Sequence, residues 1–142
     1  MITDTIKRKL ALFLKETING GTTKLGTGGG GTNPTATDLD VPLSTTATNT
    51  ATSSDDKVIE IKSSFTGSNL QGHTIREVGF FGTVPKDDQF DEVLNTNNTN
   101  NPEFTTETVM FGRINFNAIG NFSTSDVIDV IYTVEVEWYG SK

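Results

Sequence analysis

The chain has no cysteine among its 142 residues, and it has a single histidine, His73. The absence of cysteine excludes disulfides, thiolate zinc sites, iron–sulfur clusters and cysteine nucleophiles. With one histidine, a histidine-rich metal site is excluded as well. We therefore expect no cofactor and no resident metal.

Hydrophobic and basic residues are both scarce. Hydrophobic residues make up 33% of the chain, a lower share than in typical globular proteins. Thr, Asn, Ser and Gly, rather than charged residues, take their place. Lysine and arginine number 11 against 18 acidic residues, which gives a formal net charge of −7. Proteins that bind nucleic acid need a surplus of basic side chains to displace counterions from phosphate. We therefore expect no nucleic-acid partner.

Long apolar runs are missing too. The longest run is far shorter than the roughly 20 residues that a membrane-spanning helix needs. Near the N-terminus, the apolar residues 10–14 are followed by Lys15 and Glu16 instead of a small-residue cleavage site. The sequence therefore predicts neither a membrane partner nor a signal peptide.

One helix is predicted, over residues 3–19. The side chain of Thr3 or Asp4 can accept hydrogen bonds from the free amides of the first turn. Two interpretations of its apolar stripe remain open: it packs on the protein's own sheet, or it docks on a neighbouring subunit. The stripe has i, i+4, i+7, i+8 spacing and consists of Ile6, Leu10, Phe13, Leu14 and Ile18.

Residues 22–142 are predicted to be β structure, because apolar and polar residues alternate with period two in several segments. The Thr- and Ser-rich segment 44–54 predicts an exposed edge strand, and 82–107 predicts a long loop. The fold class is therefore mainly β: an antiparallel β-sandwich of about five to seven strands with one N-terminal α-helix, in a single domain spanning 1–142.

The alternation is best at residues 126–139, which predict the longest strand. One face of this segment is apolar throughout, whereas the other is apolar at first and acidic later. This pattern predicts that the first half of the strand is covered on both faces and that the second half is exposed on one.

No arrangement of reactive side chains stands out. The glycine-rich segment 26–31 is followed by Thr32, Asn33 and Pro34, not by the Lys and Ser or Thr of a phosphate-binding loop. His73 and Glu77 would lie about 13 Å apart along a strand, too far for a contact. The acidic segment 87–92 lacks the spacing of a calcium loop. We therefore predict that the protein is not an enzyme.

Two arginines lie inside predicted strands of a chain that has three in all. Arg76 is next to Glu77, and Arg113 lies between Phe111 and Phe116. Each could form a surface ion pair across neighbouring strands, worth at most about 1 kcal/mol. Alternatively, each could form a buried or inter-subunit clamp.

Short motifs in a fixed order carry a resemblance to a known group of proteins. They resemble small structural proteins of tailed bacteriophages and archaeal tailed viruses, with the nearest likeness to tail-fibre, collar and baseplate-associated proteins. The likeness spans most of residues 22–138. In order, the residues that carry it are Gly26-Thr27-Gly28, Pro34-Thr35, Asp38-Leu39, Ile75-Arg76-Glu77-Val78-Gly79-Phe80-Phe81, Phe111-Gly112-Arg113 with Phe116, and Val134-Glu135-Val136.

The resemblance implies a structural virion protein in the tail, the baseplate or the fibre attachment. Such a protein is made in the host cytoplasm, is located in the virion, and acts by assembly as a homo-oligomer with other virion proteins. The helix and the long loops would contact neighbouring subunits around a ring or a three-fold axis. The candidate subunit contacts are Ile6, Leu10, Phe13, Arg76, Arg113 and Trp138.

Three alternatives stay open at this point. The first is a decoration protein on the capsid surface. The second is a carbohydrate-binding β-sandwich module, which would place exposed aromatic rings such as Phe90, Phe104, Trp138 or Tyr139 against sugars. The third is a small hydrolase that uses His73 or Glu77, and it has the least support in the sequence.

Overall fold

The computed structural model describes residues 1–29, 33, 35–53, 58–90 and 105–136. This part of the chain is mainly β with one N-terminal helix, as predicted. Single 3₁₀ turns at Gly67–Asn69 and Asp87–Gln89 flank the fifth strand. The helix and strands are α1 (Asp4–Ile18), β1 (Thr22–Gly26), β2 (Pro42–Thr48), β3 (Thr50–Ser53), β4 (Val58–Thr66), β5 (Ile75–Pro85), β6 (Thr106–Ile119) and β7 (Val127–Glu135).

The strands form two antiparallel sheets. One sheet has the order β2-β1-β5-β6 and the other has the order β3-β4-β7. Their inner faces share one core, in which the ring of Phe80 on β5 stacks on that of Tyr132 on β7 with centroids 4.3 Å apart. The predicted antiparallel two-sheet architecture is confirmed.

Alternation on β4 shows why the sequence forms this core. Ile59, Ile61 and Phe65 are buried, whereas Glu60 and Lys62 between them are exposed. Successive side chains of a strand point to opposite faces, so one face joins the core and the other meets solvent. The period-two prediction for this segment is confirmed.

Strands β2 and β3 replace the one edge strand that was predicted for residues 44–54. A single residue, Asn49, connects them, so the chain passes there directly from one sheet to the other. The buried Asn49 side chain accepts a hydrogen bond from the Thr23 hydroxyl and donates one to the Phe81 carbonyl at 3.3 Å. These bonds fix the corner at which the two sheets join.

The helix begins as predicted, with the Thr3 hydroxyl accepting a hydrogen bond from the Ile6 amide at 3.4 Å. The single apolar stripe was only partly correct. Ala11 and Ile18 are buried, and Leu14 packs on the core beside them. Ile6 and Leu10 lie on another face of the helix, because each residue advances about 100° around its axis.

Two predicted boundaries need correction. The loop predicted over residues 82–107 is shorter, since β5 continues to Pro85 and β6 begins at Thr106. These ends lie opposite each other in the ladder, Pro85 opposite Thr106, and such pairing does not depend on an apolar pattern that the sequence would show. Residues 91–104 of that predicted loop lie outside the described residues.

The prediction that the first half of the last strand is covered on both faces was wrong. Val127 and Ile131 on the outer face of β7 are 70% and 59% exposed. The physical reason is that the whole outer face of this three-stranded sheet meets solvent, since Glu60 and Lys62 on the neighbouring strand β4 are exposed as well. Residues 137–139 of the predicted strand lie outside the described part.

Candidate functional site

Glu77 is a charged residue with no exposed surface, on the outer face of β5. One carboxylate oxygen, Oε2, accepts hydrogen bonds from the backbone amides of Gly28 and Val41, both at 2.9 Å. The other oxygen, Oε1, accepts a bond from the Asp40 amide at 3.0 Å. A buried carboxylate is costly unless such donors satisfy it. Glu77 therefore anchors the loop between β1 and β2 to the sheet.

Three residues on neighbouring strands form a row beside this carboxylate. Gly79 on β5 is paired with Lys24 on β1 and with Arg113 on β6. The chain passes over this row just before β2 begins. We call residues 38–41 the crossing segment.

The two aspartates of the crossing segment bind the two ends of the row. Asp38 forms an ion pair with Lys24 at 3.2 Å. Asp40 forms one with Arg113 at 3.0 Å, and the Arg113 side chain is 8% exposed. The Asp38–Lys24 pair is partly exposed, and exposed pairs contribute about 0–1 kcal/mol, so this pair sets position more than stability.

Leu39, between the two aspartates, lies over the centre of the row. Its side chain is buried, and a Cβ atom added to Gly79 would be 2.9 Å from Leu39 Cδ2. The missing side chain at Gly79 therefore provides the space that Leu39 fills. The segment Asp38-Leu39-Asp40 thus matches the row Lys24-Gly79-Arg113 residue by residue.

The Gly-Thr-Gly motif has an equally simple explanation. A Cβ atom on Gly26 would lie 2.6 Å from Glu77 Oε2, and a Cβ atom on Gly28 would also lie 2.6 Å from that oxygen. Both glycines are therefore required by the close approach of the loop backbone to the carboxylate.

Three segments that carry the resemblance meet at this one place: the glycine motif, the crossing segment and strand β5. Sequence reasoning treated the glycine motif, the Asp-Leu pair and the strand around Glu77 as separate features, and it missed Glu77 as an anchor. A signal was present: Glu77 and Gly79 share one face of a strand, and an acid on an otherwise apolar strand needs partners. The backbone amides that supply those partners leave no pattern of residue types.

The predicted helix contacts lie outside this site. Ile6 and Leu10 are 46% and 48% exposed, and Phe13 is half-buried. They share the outward side of α1, away from the buried Ala11 and Ile18. Their role as subunit contacts stays a prediction.

The other predicted contacts are Arg76, Arg113 and Trp138. Arg76 is exposed, at the register shift between Ile75 and Glu77 in the pairing of β5 with β6. Arg113 clamps a residue of its own chain, Asp40. Trp138 lies outside the described residues. The role of these three residues as subunit contacts stays a prediction.

The structure also shows where the two residues of the hydrolase alternative lie. His73 is exposed at the approach to β5, and the Glu77 carboxylate is occupied by three backbone amides. Within the described ranges, no group of three or more His, Asp or Glu side chains could hold a metal ion.

No helix in the described part of the chain has the length and apolar character to cross a membrane.

Comparison with known proteins gives no assignment: no protein-family model matches the sequence, and no curated protein matches it significantly. The function must therefore be argued from the geometry above and from the resemblance of the motifs.

Two adjacent glycines provide a test of the anchor. We expect Gly28→Ala to lower the free energy of unfolding by about 1–3 kcal/mol, because the new methyl group overlaps Glu77 Oε2 and Asp40 Cβ, each 2.6 Å away. Gly29→Ala is the matched control, since nothing lies within 4 Å of its added Cβ atom. Urea unfolding of both variants measures the difference. Equal stability of the two variants would contradict the anchor.

Proposed function

We propose that this chain is a structural virion protein of a tailed virus, acting in the tail, the baseplate or the fibre attachment. Its activity is assembly: it associates with copies of itself and with other virion proteins. The proposal needs no reaction centre. It requires a rigid β domain that presents shaped loops and exposed apolar surfaces to its neighbours.

The observation that carries the proposal is the convergence of three segments of the resemblance on Glu77. The glycine motif, the crossing segment and strand β5 are remote in sequence, yet one carboxylate joins all three. Motifs that meet at one structural feature are better support for the resemblance than motifs scattered over a fold. The residues that carry the resemblance are then largely those that hold the loop between β1 and β2 on the sheet.

The exposed apolar residues support an assembly role as well. On the helix, Ile6 and Leu10 face solvent, and on β7 so do Val127 and Ile131. Single exposed apolar residues are ordinary on protein surfaces, whereas groups on one face are typical of contact sites. Two such groups on different elements suit a subunit with more than one neighbour.

Mass spectrometry of purified virus particles tests the proposal. Particles are prepared from host cells in which this gene is expressed, and the copy number of the chain per particle is measured against an isotope-labelled standard. We expect a few to a few dozen copies, as for a tail component. Hundreds of copies would indicate the capsid decoration alternative.

Absence of the chain from washed, intact particles would overturn the proposed function. In that case, glycan-array binding by the purified protein tests the carbohydrate-binding alternative. Phe90, which is 44% exposed, is the one residue of the predicted sugar-binding aromatics within the described part of the chain.

A further inference from the structure

Strand β7 is an edge strand with an unusually regular ladder. All nine of its residues pair with β4, from Val127 opposite Thr66 to Glu135 opposite Val58, without a register shift. Its other side has no strand partner among the described residues. An edge of this kind presents a row of backbone donors and acceptors to which another strand can add.

The other three edge strands carry features that discourage such pairing. Strand β2 begins at Pro42, which lacks an amide hydrogen, and β3 has only four residues. Strand β6 has two register shifts in its pairing with β5. Short strands, prolines and bulges are the usual devices that protect sheet edges. Strand β7 has none of them, and it contains no lysine or arginine.

The inner face of β7 is also incompletely covered. Ile128, Val130, Tyr132 and Val134 pack on the core but are only partly buried. Beside them lies an apolar cavity of about 220 Å³, lined by Tyr132 and Val134 together with residues of α1, β4, β5 and β6. A strand added at this edge would extend the sheet and cover the exposed sides of these residues.

The sequence of β7 is complementary to itself in one antiparallel register. With Ile131 on a two-fold axis, each charged residue of one strand faces an uncharged residue of the other. No two acidic side chains are opposed, and the charge of Asp129 is partly compensated within its own chain by Lys62 at 3.9 Å. On the outer face, the opposed residues are Ile131 with Ile131, Asp129 with Thr133, and Val127 with Glu135; on the inner face they are Val130 with Tyr132 and Ile128 with Val134.

We propose that two copies of this chain pair through β7, antiparallel about a two-fold axis at Ile131, to form one continuous six-stranded sheet β3-β4-β7-β7-β4-β3. The occupant of the β7 edge is thus a second copy of the chain. An interface of this kind is isologous, since the same surface of both copies is used. The inference deepens the proposed assembly function, and it rests on that function for the expectation that copies associate.

Two lysine substitutions on the same face of β7 test the register. In Ile131→Lys, two lysines face each other across the axis, and each also lies beside Lys62 of its own chain. We expect this change to weaken dimerisation roughly 30-fold or more. In Val127→Lys, the new lysine lies opposite Glu135 of the other copy, so dimerisation is retained or strengthened. Sedimentation equilibrium measures both constants, with circular dichroism to confirm folding.

Single cysteines give a second readout that does not depend on affinity. The chain has no native cysteine, so an introduced one can form only intermolecular disulfides. Opposed residues have Cβ atoms about 4.5–5.5 Å apart, close to the distance that a disulfide needs. Ile131→Cys should therefore give a covalent dimer on mild oxidation. In Val127→Cys the two sulfurs would be about 27 Å apart, eight residues along the ladder, and should not cross-link.

The outcomes separate this inference from the proposed function. A wild-type chain that stays monomeric and an Ile131→Cys variant that does not cross-link would overturn the β7 pairing. Association that neither lysine change affects would overturn it too, because assembly then uses another surface. Loss of association in both lysine variants would overturn the register. The copy number in virus particles still tests the proposed function in each of these cases.

Discussion

Replacing Glu77 by glutamine is expected to destabilise the protein by about 2–4 kcal/mol, because hydrogen bonds to a charged group contribute about 1.5–3 kcal/mol each. Glutamine keeps the size of the side chain but replaces one acceptor oxygen with an NH₂ donor. Placed at Oε1, the NH₂ group would meet the Asp40 amide; placed at Oε2, it would meet the amides of both Gly28 and Val41. In either orientation the NH₂ donor therefore faces at least one backbone amide donor at a buried position.

Glu60→Gln is the matched control for this experiment. Glu60 lies on the exposed face of β4, so the same chemical change there should have the small effect that is usual for surface substitutions. Chemical denaturation with tryptophan-independent detection, such as far-ultraviolet circular dichroism, measures both variants. Equal midpoints for Glu77→Gln and Glu60→Gln would show that the carboxylate does not hold the loop.

The same substitution also separates stability from assembly. If the crossing segment contributes to contacts between virion proteins, Glu77→Gln should lower incorporation into particles even at temperatures at which the domain remains folded. The anchor bonds hold the backbone of residues 40 and 41 directly, whereas the ion pairs of Asp38 and Asp40 act through side chains. Loss of the carboxylate should therefore displace the loop under conditions in which the two sheets remain folded.

The architecture could be predicted from sequence because it depends on residue pattern. Alternation on β4 places Ile59 and Ile61 in the core, and the Thr3 cap begins the helix where expected. These features are local: each is decided by residues a few positions apart. The strand ends at Pro85 and Thr106 were missed, since backbone pairing across a long connection has no such local pattern.

The site could not be predicted in the same way. The sequence suggested a surface ion pair across neighbouring strands for Arg76 and no anchoring role for Glu77, whereas Glu77 is the buried residue and Arg76 is exposed. The actual partners of Glu77 are backbone amides from residues 36 to 49 positions away, and any residue type except proline can supply them.

The error at β7 has a different origin. Val127 and Ile131 have the composition of a covered strand, yet both are exposed in the single chain. An apolar pattern indicates that a face is covered without saying whether the cover belongs to the same molecule. The proposed pairing through β7 extends the sheet in its plane: it places Ile131 beside Ile131 of the second copy but does not cover the outer face.

The other large effect is expected at the centre of the core. Phe80 is almost fully buried and stacks on Tyr132, and we expect Phe80→Ala to lower the free energy of unfolding by about 3–5 kcal/mol. The loss should lie toward the upper part of this range, because Phe80 already lines the 220 Å³ cavity and the space left by its ring would enlarge it. Phe90→Ala, at a partly exposed position, is the control and should have little effect.

Phe80 also connects stability to the β7 edge. Its ring supports Tyr132, and Tyr132 would face Val130 of the other copy in the proposed register. Phe80→Leu keeps most of the core volume but removes the stacking, which is worth about 0.5–1.5 kcal/mol for an aromatic pair. We expect this variant to remain folded and to dimerise more weakly than the wild type, as measured by sedimentation equilibrium. Unchanged dimerisation in a folded Phe80→Leu variant would show that the orientation of Tyr132 is set by its own strand, independently of the core beneath it.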